Sequence, residues 1–326
     1  MINASYLNLL KSGELKRRAD LADELLAECR SCPHECSANR IVDEYGFCFS
    51  GYLPIVSSYT LHHGEEPVLS GTKGAGNIFF GNCNLRCQFC QNFEISQNYK
   101  EEKKHSVSFE RLAEIMLELQ KRGSHNIGLV SPSHFTPQIL KSIYIAAKNG
   151  LTIPIIYNSN GYDSVEMLKL FDGIVDIYLP DLKYGNNEYA KTYSKIDEYF
   201  DKAKMAVKEM FRQVGDTLVF KDEVVTRGLI IRHLVLPNDL SDTELVFKFI
   251  AEELSSNVHI SLMSQYYPTN KADKYELISR PLRQSEYNKA LELIEKYNLK
   301  NGWVQEMESF DYYRPDFKKD RLKPFE

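Results

Sequence analysis

Six short, predominantly apolar runs alternate with helical patterns between residues 76 and 263, and that alternation leaves this chain few folds to adopt. The runs are Gly76–Gly81, Asn126–Val130, Ile153–Tyr157, Ile174–Leu179, Gly228–Leu236 and Val258–Met263. A strand with one wet face alternates apolar and polar residues, whereas a strand buried on both faces does not. Buried strands separated by helices describe a parallel βα sheet or a partial barrel. The intervening patterns fit that reading. Phe109, Leu112, Met116 and Leu119 share one face of a helix stopped by Gly123, and a second helix runs from near Pro137 to Gly150. Asp163 with Glu166, and Ser241 with Glu244, carry the spacing of capping boxes. Further helices are expected at about 195–213 and about 285–298. The first thirty residues read as helical, with Leu21, Leu25 and Leu26 on one face.

Composition narrows the class without naming it. The 326 residues are 43% hydrophobic and 26% charged, with a formal net charge of -5. These values are ordinary for a globular protein, and the mild acidity argues against a nucleic-acid or membrane-surface partner. No apolar run approaches the roughly 18 residues that a membrane helix needs. The opening MINASYLNLLKSGELKRR lacks a signal-peptide core, so a cytoplasmic, reducing location is expected. There, cysteines seldom form structural disulfides. All seven fall into two groups: Cys29, Cys32, Cys36 and Cys48, then Cys83, Cys87 and Cys90.

In parallel folds chemistry collects where strands end. The second group forms a C-x3-C-x2-C loop directly after the first strand. Thiolates at that spacing suit iron–sulfur or zinc. Three ligands leave one iron of a cubane open, and no His or Cys within the loop offers a fourth ligand for zinc.

Cys83-x3-Cys87-x2-Cys90 before a six-strand βα pattern resembles the radical S-adenosylmethionine (SAM) superfamily. The string SGTKGAGNIFFGNCNLRCQFCQNFEIS, with VDIYLPDLKY downstream, is similar to the branch of pyruvate formate-lyase-activating-enzyme-like proteins. The resemblance implies a [4Fe-4S] cluster on Cys83, Cys87 and Cys90, with SAM on the fourth iron. A reduced cluster then cleaves SAM to methionine and a 5′-deoxyadenosyl radical, which abstracts a substrate hydrogen. The resemblance also implies a flavodoxin- or ferredoxin-like electron donor and a glycyl-radical enzyme or peptide as substrate. Hydrogen abstraction from a small molecule is the alternative within the class. A non-catalytic iron–sulfur or zinc protein is the alternative outside it.

The same resemblance sets Phe89 against the adenine of SAM, a place where a core aromatic would also fit. Asn158-Ser159-Asn160-Gly161 is similar to a family turn near SAM, with Ser159 and Asn160 as its polar groups. Asp181 corresponds to a ribose ligand and Lys183 to a partner of the SAM carboxylate. Ser131-Pro132-Ser133-His134 stands where many relatives carry Gly-Gly-Glu. Ser131 through its backbone, and Ser133 through its hydroxyl, are left to accept from the SAM amino group. His134 is a candidate acid or base, or a loop histidine held by a hydrogen bond. Of Arg232 and His233 on the fifth strand, one must point inward. Arg232 is the choice for a carboxylate of SAM or substrate, unless it serves a structural salt bridge. Gln265, Tyr266 and Asn92 are further candidates for the substrate side.

Cys29-x2-Cys32-x3-Cys36-x11-Cys48 suffices for one closed tetrahedral site, zinc or an auxiliary iron–sulfur cluster, with His34 able to replace a ligand. His62-His63-Gly64-Glu65-Glu66 lacks the spacing and helix of a zinc-protease motif and reads as a solvated or SAM-covering loop. The expected organisation is an N-terminal helical and four-cysteine cap (1–75), a partial (β/α)6 radical SAM barrel (76–264), and a C-terminal extension (265–326).

Overall fold

The computed structural model describes residues 4–307 and 315–325. Part of the charged C-terminal tail therefore lies outside the described residues. The strands are β1 (Val56–His62), β2 (Ala75–Phe80), β3 (Ile127–Val130), β4 (Ile155–Ser159), β5 (Ile177–Pro180), β6 (Val219–Lys221), β7 (Val224–Leu234), β8 (His259–Met263) and β9 (Gly302–Val304). They form one sheet in the order β1-β2-β3-β4-β5-β7-β8-β9, with β6 beside β7. From β2 to β9 every pair on that path is parallel. β1 is antiparallel to β2, and β6 to β7. The expected six strands are β2, β3, β4, β5, β7 and β8, in sequence order, as in a partial barrel of the α/β class.

Three strands were not anticipated. β1 mixes serine, threonine and histidine into its apolar residues, while β6 and β9 are three residues long and mostly exposed. Such edges carry little hydrophobic signal and are specified by their neighbours. Local caps also differ from expectation. The Val165–Leu170 helix is capped by Ser164, whose hydroxyl accepts from the Met167 N–H, and Asp163 is turned into the core instead. The Thr243–Phe249 helix has no side-chain cap, because the Ser241 hydroxyl accepts from the Leu236 N–H. The N-terminal segment breaks into three helices, Tyr6–Ser12, Glu14–Asp20 and Ala22–Ala27, which pack on the Thr136–Lys148 helix. No helix of the described residues is long and apolar enough to cross a membrane.

Strand alternation sorts the side chains. Ile155, Tyr157, Tyr178, Leu229 and Ile231 join the main core under the helices. Ile156, Ile177, Leu179 and Ile230 point the other way and meet Leu69 and Val225 in a second cluster. Leu69 belongs to the Pro67–Ser70 helix, and its carbonyl accepts from Asn126 just before β3. This short helix therefore fills the end of the barrel where the strands begin. The other end is left for the site.

Candidate functional site

A cavity of about 970 Å³ opens above that plug. Its volume is at the upper end of ordinary ligand pockets. Cys83, Cys87 and Cys90 line it, as do Phe89, Asn92, Ser131, Asn158, Ser159, Asn160, Asp181, Lys183, Arg232 and Gln265. Most of the sequence candidates thus converge on one space. Ser133, His134 and Tyr266 do not line it.

The cysteine loop is held by its neighbours. Asn82, immediately before Cys83, adopts a left-handed conformation (φ 64°), and its side chain donates to the Phe49 carbonyl. Hydrogen-bond donors reach the sulfurs: the Leu85 N–H and Asn160 Nδ2 approach Cys83 Sγ at 3.4 and 3.5 Å, and the Ser194 hydroxyl approaches Cys87 Sγ at 3.0 Å. Cys90 Sγ lies 3.3 Å from the Ser96 hydroxyl. Burial pushes the thiols of Cys83 and Cys87 up to about 11, against the opposing pull of the Lys183 charge. Among the described residues, no three His, Cys, Asp or Glu groups stand ready to hold a metal ion. The donors aimed at sulfur and the nearby lysine fit a group that needs thiolates.

The opposite wall is built from strand ends. Asp181 and Lys183 are paired through their side chains. The buried Tyr199 hydroxyl accepts from the Lys183 N–H (2.9 Å) and meets the carbonyls of Asn160 (2.8 Å) and Asp181 (2.9 Å). It ties the ends of β4 and β5 together. Gly161 makes this approach possible: its φ is +79°, and a Cβ would stand 2.4 Å from the Asp181 carbonyl oxygen. Asn160 Nδ2 also donates to Asn84 Oδ1 at 2.7 Å, joining this wall to the cysteine loop. Ser159 donates to the buried Asp163 at 2.6 Å, so its hydroxyl is already engaged.

Arg232, not His233, is the inward member of its pair. Its Nε and Nη2 donate to Glu66 at 2.8 and 2.9 Å, and it is also paired with Glu65. Glu65 in turn accepts from Asn77 Nδ2 at 2.7 Å. Gly128 leaves the room for Asn77, since a Cβ there would lie 2.2 Å from its Oδ1. Burial acts to raise the Glu66 carboxyl, but Arg232 outweighs it and holds the group below the usual carboxylate range. Of the two readings of the 62–66 segment, solvated or SAM-covering, its position fits the second better: His62 to Glu66 line the cavity, although His63 is exposed. Its acidic pair is buried as the floor of the cavity, a role hidden in sequence because two glutamates after histidines look like surface.

His233 and His134 are both held within the fold. His233 is buried between the Leu182 carbonyl (2.6 Å) and the Thr243 hydroxyl (3.0 Å). His134 is buried too, with Nε2 at 2.9 Å from the Gly81 carbonyl. Burial pulls its pKa down to about 3, so it is neutral at physiological pH. It faces the four-cysteine segment rather than the cavity. Ser133 is buried beside it, away from the cavity.

A family model described as the radical SAM superfamily matches residues 77–226. That stretch is a radical SAM superfamily domain, and this family implies a [4Fe-4S] cluster and SAM. Uncharacterized protein MJ0674 of Methanocaldococcus jannaschii is 39% identical over 303 residues, covering 90% of this chain and 82% of its own. Uncharacterized protein MJ0808 of the same organism is 23% identical over 268 residues, 76% and 73% of the two chains. Among solved structures, methylornithine synthase (PylB) superposes with a TM-score of 0.43 at 13% identity, over 93% of this chain and 75% of that one. The FeFe-hydrogenase maturase HydG from Carboxydothermus hydrogenoformans gives 0.47 at 12% identity, over 91% and 63%.

Proposed function

We propose that the protein is a radical SAM enzyme that works in the 970 Å³ cavity, with Cys83, Cys87 and Cys90 as the cluster ligands. One observation carries this reading: three cysteines, Cys87 buried and Cys83 and Cys90 half-buried, line the same cavity as the Asp181–Lys183 pair. When bound, the cluster supplies the electron that cleaves SAM to a 5′-deoxyadenosyl radical. The chain's own residues orient and exclude. Asp181 offers a carboxylate to ribose hydroxyls, and Lys183 offers an ammonium to the SAM carboxylate. Asn160 and the backbone at Ser131 present polar atoms toward the amino group. Phe89 supplies an aromatic wall for adenine. Phe79, Val130 and Met263 give the cavity an apolar side.

The substrate side is the floor. Glu65, Glu66 and Arg232 are charged, buried and fixed by one another, which favours a small polar substrate over a greasy one. Glycyl-radical activation of a partner protein, implied by the sequence resemblance, would need a backbone loop to enter the same space. A flavodoxin- or ferredoxin-like donor would supply the electron in either case.

The test is anaerobic reconstitution with iron and sulfide, followed by reduction with dithionite in the presence of SAM. Formation of 5′-deoxyadenosine and methionine supports the reading. A protein that carries the cluster on Cys83, Cys87 and Cys90 yet yields no 5′-deoxyadenosine would sink it. Addition of a glycyl-radical enzyme, with a glycyl signal by electron paramagnetic resonance, would shift the substrate reading to the partner protein.

A further inference from the structure

Arg40 is 1% exposed and has no carboxylate partner among the described residues. Its Nε donates to the Gly51 carbonyl at 2.9 Å and its Nη1 to the His134 carbonyl at 2.6 Å. Nη1 also lies 3.8 Å from Cys29 Sγ, and Nη2 is buried without any partner. A guanidinium cannot shed its proton to escape burial. An isolated buried charge is costly enough that proteins supply a counter-charge. Cys29, Cys32, Cys36 and Cys48 are among the groups that line a small void beside Arg40. As neutral thiols these four would supply no charge; as thiolates they would.

We propose that Cys29, Cys32, Cys36 and Cys48 hold a tetrathiolate metal centre whose negative charge is the partner of Arg40, and that this centre braces the loop carrying Cys83, Cys87 and Cys90. Binding forms four metal–sulfur bonds, and the four thiol protons leave to solvent. With four thiolates, a zinc ion and a [4Fe-4S] cluster in its oxidised resting state each leave two net negative charges. Either one satisfies Arg40. The sulfurs do not stand in a finished ligand shell, so binding draws them together. Cys36 is exposed and gives the metal a way in, while Cys29, Cys32 and Cys48 are buried.

Two contacts join this centre to the cluster loop, each one or two residues from a cysteine on both sides. His34, between Cys32 and Cys36, places Nε2 at 2.8 Å from the Asn84 carbonyl. Arg86, next to Cys87, donates to the carbonyl of Phe47, which precedes Cys48. Its guanidinium also lies over the Phe47 ring, 4.7 Å from the centroid, and His34 stacks on that ring at 4.1 Å. The two cysteine loops are thus packed as one unit.

The test counts metals in the full chain, purified anaerobically, as wild type and as the Cys83→Ser/Cys87→Ser/Cys90→Ser variant. The expected variant retains one zinc, or four irons with matching sulfide, per chain; the two counts tell zinc from a cluster. Should the variant not fold, the wild type reports instead, as metal beyond the four irons of the radical SAM loop. A wild type with four irons and no zinc overturns the proposal. Arg40→Met is expected to speed loss of the cap metal to a chelator about 10- to 100-fold, as changes beside a metal's ligands do. Arg40→Lys should recover part of that loss, which a purely steric role would not. Stripping the cap metal should also quicken hydrogen exchange at residues 83–90, and unchanged exchange there would refute the bracing.

Discussion

Arg232 and Glu66 meet in a two-pronged ion pair, 2.8 and 2.9 Å, at the floor of a cavity whose upper wall carries three cysteines. The pair joins β7 to the segment that enters the barrel from β1. Glu65 makes it a triad, with two carboxylates on one guanidinium. Removing the cation leaves both acids without a counter-charge. Arg232→Met is therefore expected to lose about 3–5 kcal/mol of stability in urea unfolding, the usual cost of breaking a buried pair. Adding Glu65→Gln and Glu66→Gln to it should return a good part of that loss. A triple variant no more stable than Arg232→Met would show that the triad does not act as a charge unit.

Ser194 bears on the cysteine loop from outside it. Its hydroxyl donates to Cys87 Sγ at 3.0 Å, and hydrogen bonds to sulfur favour the more reduced, more negative cluster. Ser194→Ala should lower the midpoint potential of the reconstituted cluster by up to about 40 mV, the equivalent of ~1 kcal/mol for one electron. A redox titration followed by electron paramagnetic resonance reads it. An unchanged potential would mean that the hydroxyl does not keep this contact once the cluster is bound.

His134 provides a contrast between place and chemistry. It sits at a strand end, where acids and bases collect, but its ring is enclosed and bonded to the Gly81 carbonyl. His134→Gln can still offer a side-chain N–H to that carbonyl. It should form 5′-deoxyadenosine within about twofold of the wild type, whereas loss of a proton-transfer group costs about 10²–10⁴-fold. A drop of that size with the cluster content intact would restore His134 to the chemistry.

The sequence made the central strands and the cysteine loop legible because burial on both faces leaves a mainly apolar run without strict alternation, and three thiols in eight residues are rarely accidental. Asp181, Lys183 and Asn160 could be located by the same rule, that strand ends carry function. What escaped was set by distant partners. Glu65 and Glu66 look like surface until Arg232, on a strand some 166 residues later, pulls them inside. Tyr199 gives no local sign that its hydroxyl will reach two strand ends, and it is read only from the fold. His134 and Ser133 satisfied the positional rule but lie buried off the cavity, in a one-turn 3-10 helix (Ser133–Phe135) after β3.

The C-terminal helix carries a pH-dependent anchor far from the cysteines. Glu286 accepts from Arg280 at 2.7 and 2.8 Å, from the Asn238 N–H at 2.7 Å and from the Arg283 N–H at 2.9 Å. The Arg280 hydrogen bonds hold its carboxyl down to about 2, against the opposing effect of burial. A carboxyl depressed in the folded state contributes stability above its unfolded pKa and loses it as the pH falls through its folded value. Glu286→Gln should therefore cost about 2 kcal/mol at pH 7, from charge-assisted hydrogen bonds that a neutral amide makes less well. The difference from wild type should shrink as the pH falls from about 5 toward 2. Chemical denaturation of both proteins across that range measures it, and a gap that stays constant with pH would show that the Glu286 charge contributes nothing.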